Sequence, residues 1–344
     1  MQSGTANMEW VFQGNPAYKT RRLAELLGLK TNDTRELIKF LQSDKVTPLD
    51  ITARTLSVLT ADERRRSIPL VFKPVLEDSQ SPDIFIEEPI LERLQRPNSI
   101  VIPTIMGYNT AEGLAMMVNT IRKLVDFEND FSRLVPRNIP LDPNDNEIKE
   151  IAKRLREFYL NGQAIKPELL NNLTNIMTDY YFTVDMQNAA KWQAQLQPQA
   201  PVYFYRFEYV GDRNMYKRIL QMHKLEGACH GDELFYLFQM AGDETEVSER
   251  DRKIVKQLSN MWANFAKFTN PTPKDQTHNA AVCDWLPVRY QPPNMETDKF
   301  VLDYLSINNK GCEMKTNPDI ERMEFWQNIY KHYKAKDLSL ASKL

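Results

Sequence analysis

Three short segments rich in β-branched and aromatic residues, Ile100–Tyr108, Val202–Tyr209 and Phe300–Ile307, stand far apart in the chain, each bounded by Pro, Gly or Asn. Their length and composition read as buried strands. Helical patterns fill the intervals. Leu37, Ile38, Phe40 and Leu41 follow Asp33-Thr-Arg-Glu36, a start that suits an N-capped amphipathic helix. Ile148, Ile151, Leu155 and Phe158 recur at helical spacing, as do Ile254, Leu258, Met261, Trp262 and Phe265. Strands separated by helices predict an α/β architecture, a mostly parallel sheet with helices on both faces. Three strands are few for 344 residues. A sheet of three leaves edges open and helices without a surface to cover, so the expected architecture is an incomplete one.

Composition narrows the class of ligand. Charged residues make up 26% of the chain, with a net charge of −2 and no long single-sign run, which gives neither nucleic acid nor a membrane surface a reason to bind. A small, mostly uncharged ligand is expected instead. Cys229, Cys283 and Cys312 are too scattered for a disulfide framework, and no Cys/His cluster suggests a metal. The longest apolar runs, such as Ile100-Val-Ile-Pro-Thr-Ile-Met106, fall far short of a membrane span, and no export signal is visible at the N-terminus. A soluble protein follows, cytoplasmic or secreted, with the cytoplasm favoured. Asn32-Asp-Thr34 and Asn172-Leu-Thr174 are glycosylation sequons, of consequence only in a secreted chain. Pro-rich stretches at Leu134–Pro143, Gln195–Pro201 and Asn270–Pro273 read as loops rather than domain linkers, and no internal repeat is present.

Two residues carry the chemistry. The strand ending in Ile105-Met-Gly107, the turn Tyr108-Asn-Thr110 and the segment Ala111-Glu-Gly-Leu-Ala-Met-Met117 place Glu112 in the first turn of a helix at the C-terminal end of a strand. Ligands and catalytic groups of open α/β sheets gather at that edge. The competing reading is an acid that merely complements the helix dipole. His230, in Gly227-Ala-Cys-His-Gly-Asp-Glu-Leu234, sits on a loop entering the apolar run Leu234–Phe238. A histidine there can shuttle protons near neutral pH if a carboxylate fixes its tautomer. Its competing reading is a surface loop residue ahead of a helix started by Asp232 and Glu233. His223, His278 and His332 have no comparable setting and receive no role.

A family resemblance gives these residues a context. The segments Phe72-Lys-Pro-Val-Leu-Glu-Asp78, Ile102-Pro-Thr-Ile-Met-Gly107 with Glu112-Gly113, Val202-Tyr-Phe-Tyr-Arg-Phe207, His230-Gly-Asp-Glu-Leu234, Trp262-Ala-Asn-Phe-Ala266 with Asn270-Pro271, and Trp326-Gln-Asn-Ile-Tyr330 are all present. They occur in the order found in type-B carboxylesterases, and the texture most resembles the insect α-esterases. The resemblance covers essentially the whole chain. It implies the α/β-hydrolase fold, hydrolysis of carboxylic esters through a serine acyl-enzyme, small-molecule esters as partners, and no metal or organic cofactor. It assigns Glu112 as triad acid and His230 as general base. It points to Met116 and Met117, and to the aromatic run Tyr180, Tyr181 and Phe182, as lining of the acyl or leaving-group pocket. Ordinary core packing is the competing reading for each of these five.

Departures from the family pattern matter as much. Along the chain such a triad runs Ser, then acid, then His, yet no Gly-x-Ser-x-Gly occurs in the 344 residues, and the His-Gly-Gly oxyanion loop is also missing. Ser3, in Met1-Gln-Ser-Gly4, matches the end of the strand after the nucleophile helix and does not replace the nucleophile. The expectation is therefore the C-terminal part of a single carboxylesterase domain. Its N-terminal part is the missing partner, and without serine and oxyanion donors the chain is expected to be inactive alone. The alternative is a non-catalytic, esterase-like binding module. A Glu112–His230 dyad of different mechanism ranks last, having no candidate nucleophile nearby in the sequence.

Overall fold

The computed structural model describes all residues except 14–15, 67–69, 78–82, 95, 98–100, 140, 143, 241–245, 275–282, 293–298 and 334–344. Four strands form one sheet in the order β1 (Thr104–Asn109), β2 (Val202–Phe207), β3 (Asp303–Asn308) and β4 (Gly311–Thr316). The first three run parallel and pair in sequence order, while β4 returns antiparallel to β3, so the sheet is mixed. The three expected strands are present but shorter, β1 and β3 starting later and ending one residue further on, and β2 ending two residues earlier. Ile100, Asp78, Pro143 and His278 lie outside the described residues.

The fourth strand escaped the sequence pattern. Gly311-Cys-Glu-Met-Lys-Thr316 has a weak apolar alternation, and only Cys312 and Met314 pack toward the core. Charged Glu313 and Lys315 occupy the other face of an edge strand, where they discourage further pairing. On the opposite side of the sheet, Gln2 bridges to Gly107 of β1 in parallel sense, with Ser3 N donating to Gly107 O at 2.9 Å. Gly107 is required at that crossing, because a β-carbon there would stand 2.3 Å from Tyr205 O on β2.

Eight helices carry the argument: α1 (Pro16–Leu26), α2 (Thr34–Leu41), α3 (Leu114–Thr120), α4 (Asn146–Leu160), α5 (Leu170–Thr178), α6 (Val184–Leu196), α7 (Glu249–Phe268) and α8 (Ile320–Tyr333). Asp33 caps α2 as its pattern predicted, its carboxylate accepting from Arg35 N and Glu36 N. Between α5 and α6 the chain makes a π-helical turn over Asp179–Thr183.

Side-chain alternation along the strands divides the core. Met106, Tyr108, Val202 and Phe204 face a cluster supplied by α3, α4, α5, α6 and α8. Ile105, Tyr203, Tyr205, Phe207, Leu305 and Ile307 face the other way, against Ile254, Leu258 and Met261 of α7 and the indole of Trp285. Both faces are covered, which is the expected α/β layering. Arg206 interrupts the apolar run of β2. Its Nε and Nη2 donate to Asp319 Oδ2 and Oδ1 at 3.0 and 2.8 Å, a two-pronged tie from the sheet to the start of α8. Among the described residues no helix is long and apolar enough to cross a membrane.

Candidate active site

The C-terminal ends of β1 and β2 present the loops that form the site. After β1 the chain turns at Thr110, and Ala111 then makes an isolated bridge to Cys229, its N–H donating to Ala228 O at 2.9 Å. Helix α3 therefore starts only at Leu114, and Glu112 lies in the turn before it rather than in its first turn, as the sequence pattern implied. The acid thus stands one residue ahead of the N-cap Gly113 instead of on the helix. Gly113 wedges the turn against α5: a β-carbon on it would meet Thr174 O at 2.4 Å.

Glu112 is fully buried. Its two oxygens divide their work. Oε1 accepts from Asn109 N at 2.7 Å and from Ser3 Oγ at 2.5 Å. Oε2 meets His230 Nδ1 at 2.6 Å. With a carboxylate as partner, Nδ1 carries the proton and Nε2 keeps the lone pair. Among the described residues no second hydrogen-bond partner for the imidazole occurs, and 40% of its side-chain surface is open.

The loop that carries His230 is fastened beneath the ring. Asp232, wholly buried, accepts from Cys229 N at 2.8 Å, from Asn214 Nδ2 at 3.0 Å and from Lys217 N at 3.2 Å. Gly231 adopts a φ of +78°, a left-handed conformation, with the Tyr216 ring occupying the space a β-carbon would need. The imidazole itself stacks obliquely on Phe182, ring centres 5.0 Å apart.

Electrostatics favour a protonatable base. Burial disfavours the imidazolium, but the Glu112 carboxylate outweighs it and holds His230 above the ordinary histidine value. Glu233 is pushed up to about 7, first by burial and then by the nearby Glu112 charge. Its Oε1 accepts from Gln2 Nε2 at 3.3 Å, and Asn109 Nδ2 donates to its Oε2. Cys229, beside His230 in sequence, is no nucleophile: it is fully buried and its thiol is held far above the usual range by burial.

The five pocket candidates fall into one apolar cluster, with different relations to the pair. Phe182 touches the imidazole. Tyr181 stacks on Tyr180 at 3.8 Å, and its carbonyl accepts from Trp10 Nε1 at 2.7 Å. Trp10 in turn meets Phe182 edge-on at 5.7 Å. Met117 is buried and Met116 partly buried on α3 in the same cluster, neither in ring contact with the histidine. Tyr180, Tyr181 and Phe182 occupy the π-helical turn, whose extra residue reorients the side chains that follow. Sequence reasoning missed Trp10, Asn109, Glu233 and the hydroxyl of Ser3. Ser3, Asn109 and Glu233 lay in segments already singled out but without a role, Trp10 lay in none, and the left-handed φ of 53° at Ser3 is invisible in a residue string.

A buried acid on the turn after one parallel strand, bonded to a histidine on the loop after the next, on a sheet covered by helices on both faces, is the layout of an α/β-hydrolase. The carboxylesterase family model matches residues 1–326, and the chain belongs to that family. Among curated relatives, esterase FE4 of Myzus persicae is 28% identical over 309 residues, covering 86% of this chain and 50% of its own length. A carboxylic ester hydrolase of Bombus ignitus is 27% identical over 345 residues, covering 95% of this chain and 56% of its own. The crystal structure of juvenile hormone esterase from Manduca sexta, with OTFP covalently attached, superposes with a TM-score of 0.70 at 20% identity. That match covers 96% of this chain and 59% of the other, and establishes the fold. The chain thus spans about half the length of the relatives it matches.

Proposed function

We propose that this chain supplies the acid and base of a serine carboxylesterase site acting on small apolar or xenobiotic carboxylic esters. The observation that carries the reading is the 2.6 Å contact between Glu112 Oε2 and His230 Nδ1, with the acid's other oxygen already committed to Asn109 N and Ser3 Oγ. A carboxylate so anchored cannot turn away from the imidazole. His230 then takes a proton at Nε2 from an attacking serine hydroxyl and returns it to the leaving alcohol, while Glu112 stabilises the imidazolium between the two steps.

The serine and the oxyanion donors come from a segment outside these 344 residues. Two facts support this: the absence of any Gly-x-Ser-x-Gly in the sequence, and the share of each relative's length that this chain covers. Ser3 does not serve, because its hydroxyl is buried and spends its proton on Glu112 Oε1. Met116, Met117, Tyr180, Tyr181 and Phe182 are proposed to wall the substrate pocket, with Phe182 against the base. Adaptable thioether and aromatic walls suit varied apolar esters.

A fluorophosphonate probe tests the reading. The 344-residue chain alone is expected to remain unlabelled and to leave naphthyl acetate intact. A longer polypeptide, with a segment bearing the nucleophile elbow placed ahead of Met1, is expected to gain both activities. In that protein His230→Ala should lower kcat by roughly 10⁴-fold or more. Stoichiometric labelling of a serine in the 344-residue chain would overturn the assignment of the nucleophile. Undiminished turnover by His230→Ala in the longer protein would remove the base.

A further inference from the structure

Two sequons occur in the chain, and the fold treats them in opposite ways. Asn32 lies in the exposed loop between α1 and α2, and among the described residues no hydrogen bond engages its side-chain amide. Its neighbour Asp33 is occupied in capping α2, and Thr34 opens that helix with its side chain exposed. Beside Asn32 is a cleft of about 400 Å³, lined by Tyr18, Arg21, Arg22, Glu25, Lys30 and Thr31. Asn172 is the reverse case. It lies within α5, where its Nδ2 donates to Tyr159 O of α4 at 2.9 Å. Thr174 is 2% exposed, its hydroxyl donating to Leu170 O at 2.8 Å, and its carbonyl presses on Gly113, next to Glu112.

We infer that, when the chain passes through a secretory compartment, Asn32 is an N-glycan acceptor and Asn172 is not, so that the folded chain then carries one glycan, placed over the cleft of α1. In the transfer, Asn32 Nδ2 forms a bond to C1 of the terminal N-acetylglucosamine of a lipid-diphosphate-linked oligosaccharide. The bond from C1 to the diphosphate oxygen breaks, the lipid diphosphate leaves, and the amide releases one proton. A sugar on Asn32 meets open cleft, whereas one on Asn172 would enter the seam between α4 and α5, displace the bond to Tyr159 O and unseat the turn that holds Glu112. Chains modified at Asn172 therefore do not complete the fold. The cleft also places polar side chains and the Tyr18 ring beside the first saccharide, a surface suited to hydroxyl and acetamido groups.

The experiment is expression of the whole 344-residue chain behind a secretion leader in insect cells, with analysis of the secreted material before and after peptide N-glycanase. The expected result is a single glycan, removed by the enzyme and leaving aspartate at position 32 by peptide mass. Asn32→Gln and Thr34→Val should each abolish the mobility shift, and Asn172→Gln should leave it unchanged. The thermal midpoint should be the same before and after glycan removal. A secreted chain without any glycan, a glycan mapped to Asn172, or a shift surviving Asn32→Gln would each overturn the inference. Mapping on the unsubstituted chain keeps the test decisive if a variant fails to fold.

Discussion

At the residue scale the site is one carboxylate with two separate duties. Glu112 Oε1 is held by Asn109 N and Ser3 Oγ, and Oε2 by the imidazole, so the geometry of the pair does not depend on the side chain finding its rotamer in solvent. This makes the tautomer of His230 measurable in the chain as it stands. Titration followed by NMR should place the His230 imidazole above the ordinary value of about 6.5, since the carboxylate favours the charged ring. Glu112→Gln should bring it down, because the amide removes the strongest influence that opposes burial and leaves only the lesser charges of Glu233 and Asp232 against it. An imidazole that titrates at or below the ordinary value in the unsubstituted chain would refute the assigned coupling. In an active, longer protein the same raised value moves the acid limb of the pH–rate profile upward, since the base must be neutral to work.

At the scale of elements, the close crossing of β1 and β2 is the vulnerable point. Gly107 has Tyr205 O and the Tyr205 ring within 2.5 Å of where a β-carbon would stand, and backbone cannot retreat as a side-chain tip can. Gly107→Ala is expected to cost roughly 2–4 kcal/mol of stability, read as a lower urea midpoint. Gly28, where an added β-carbon would meet no described neighbour within 4 Å, has φ +103°, so its replacement tests strain without a clash. Equal losses at the two glycines would sink the steric argument. The elements most legible in the sequence were those with strong periods: α2 with its Asp33 cap, α4, α7 and the three parallel strands. β4 was not, because an edge strand with outward Glu313 and Lys315 has little apolar alternation to read. The start of α3 was misplaced for a tertiary reason. The bridge from Ala111 to Cys229 holds the chain out of the helix, and no local propensity records a partner 118 residues away. The positions of Glu112 and His230 followed from motif order, whereas Trp10 and Asn109 joined the site through tertiary hydrogen bonds and packing.

For the whole molecule, protonation of buried groups sets how stability varies with pH. Asp179 and Glu233 are each pushed up to about 7, in both cases chiefly by burial. The folded chain therefore retains protons that the unfolded chain has released once pH exceeds the ordinary carboxyl range, and stability falls as pH rises toward 7. His230 acts in the same sense: its pairing contributes fully below the ordinary histidine value and is lost as pH rises through the higher folded value. The urea midpoint should accordingly be lower at pH 8 than at pH 5, and Glu233→Gln should flatten that slope; a midpoint that climbs over this range would contradict the account. The contacts of the site also span the chain. Ser3 and Glu112 are 109 residues apart, Glu112 and His230 118, and Gln2 and Glu233 231. Contacts that close such long loops reward the chain late, after most of their entropy cost has been met. Early folding intermediates would lack the pair altogether, and substitutions at Glu112 or His230 should act chiefly on the unfolding rate. The acid–histidine pair in such a molecule is thus a certificate of finished folding, issued only when the first residues and the two hundred and thirtieth have met.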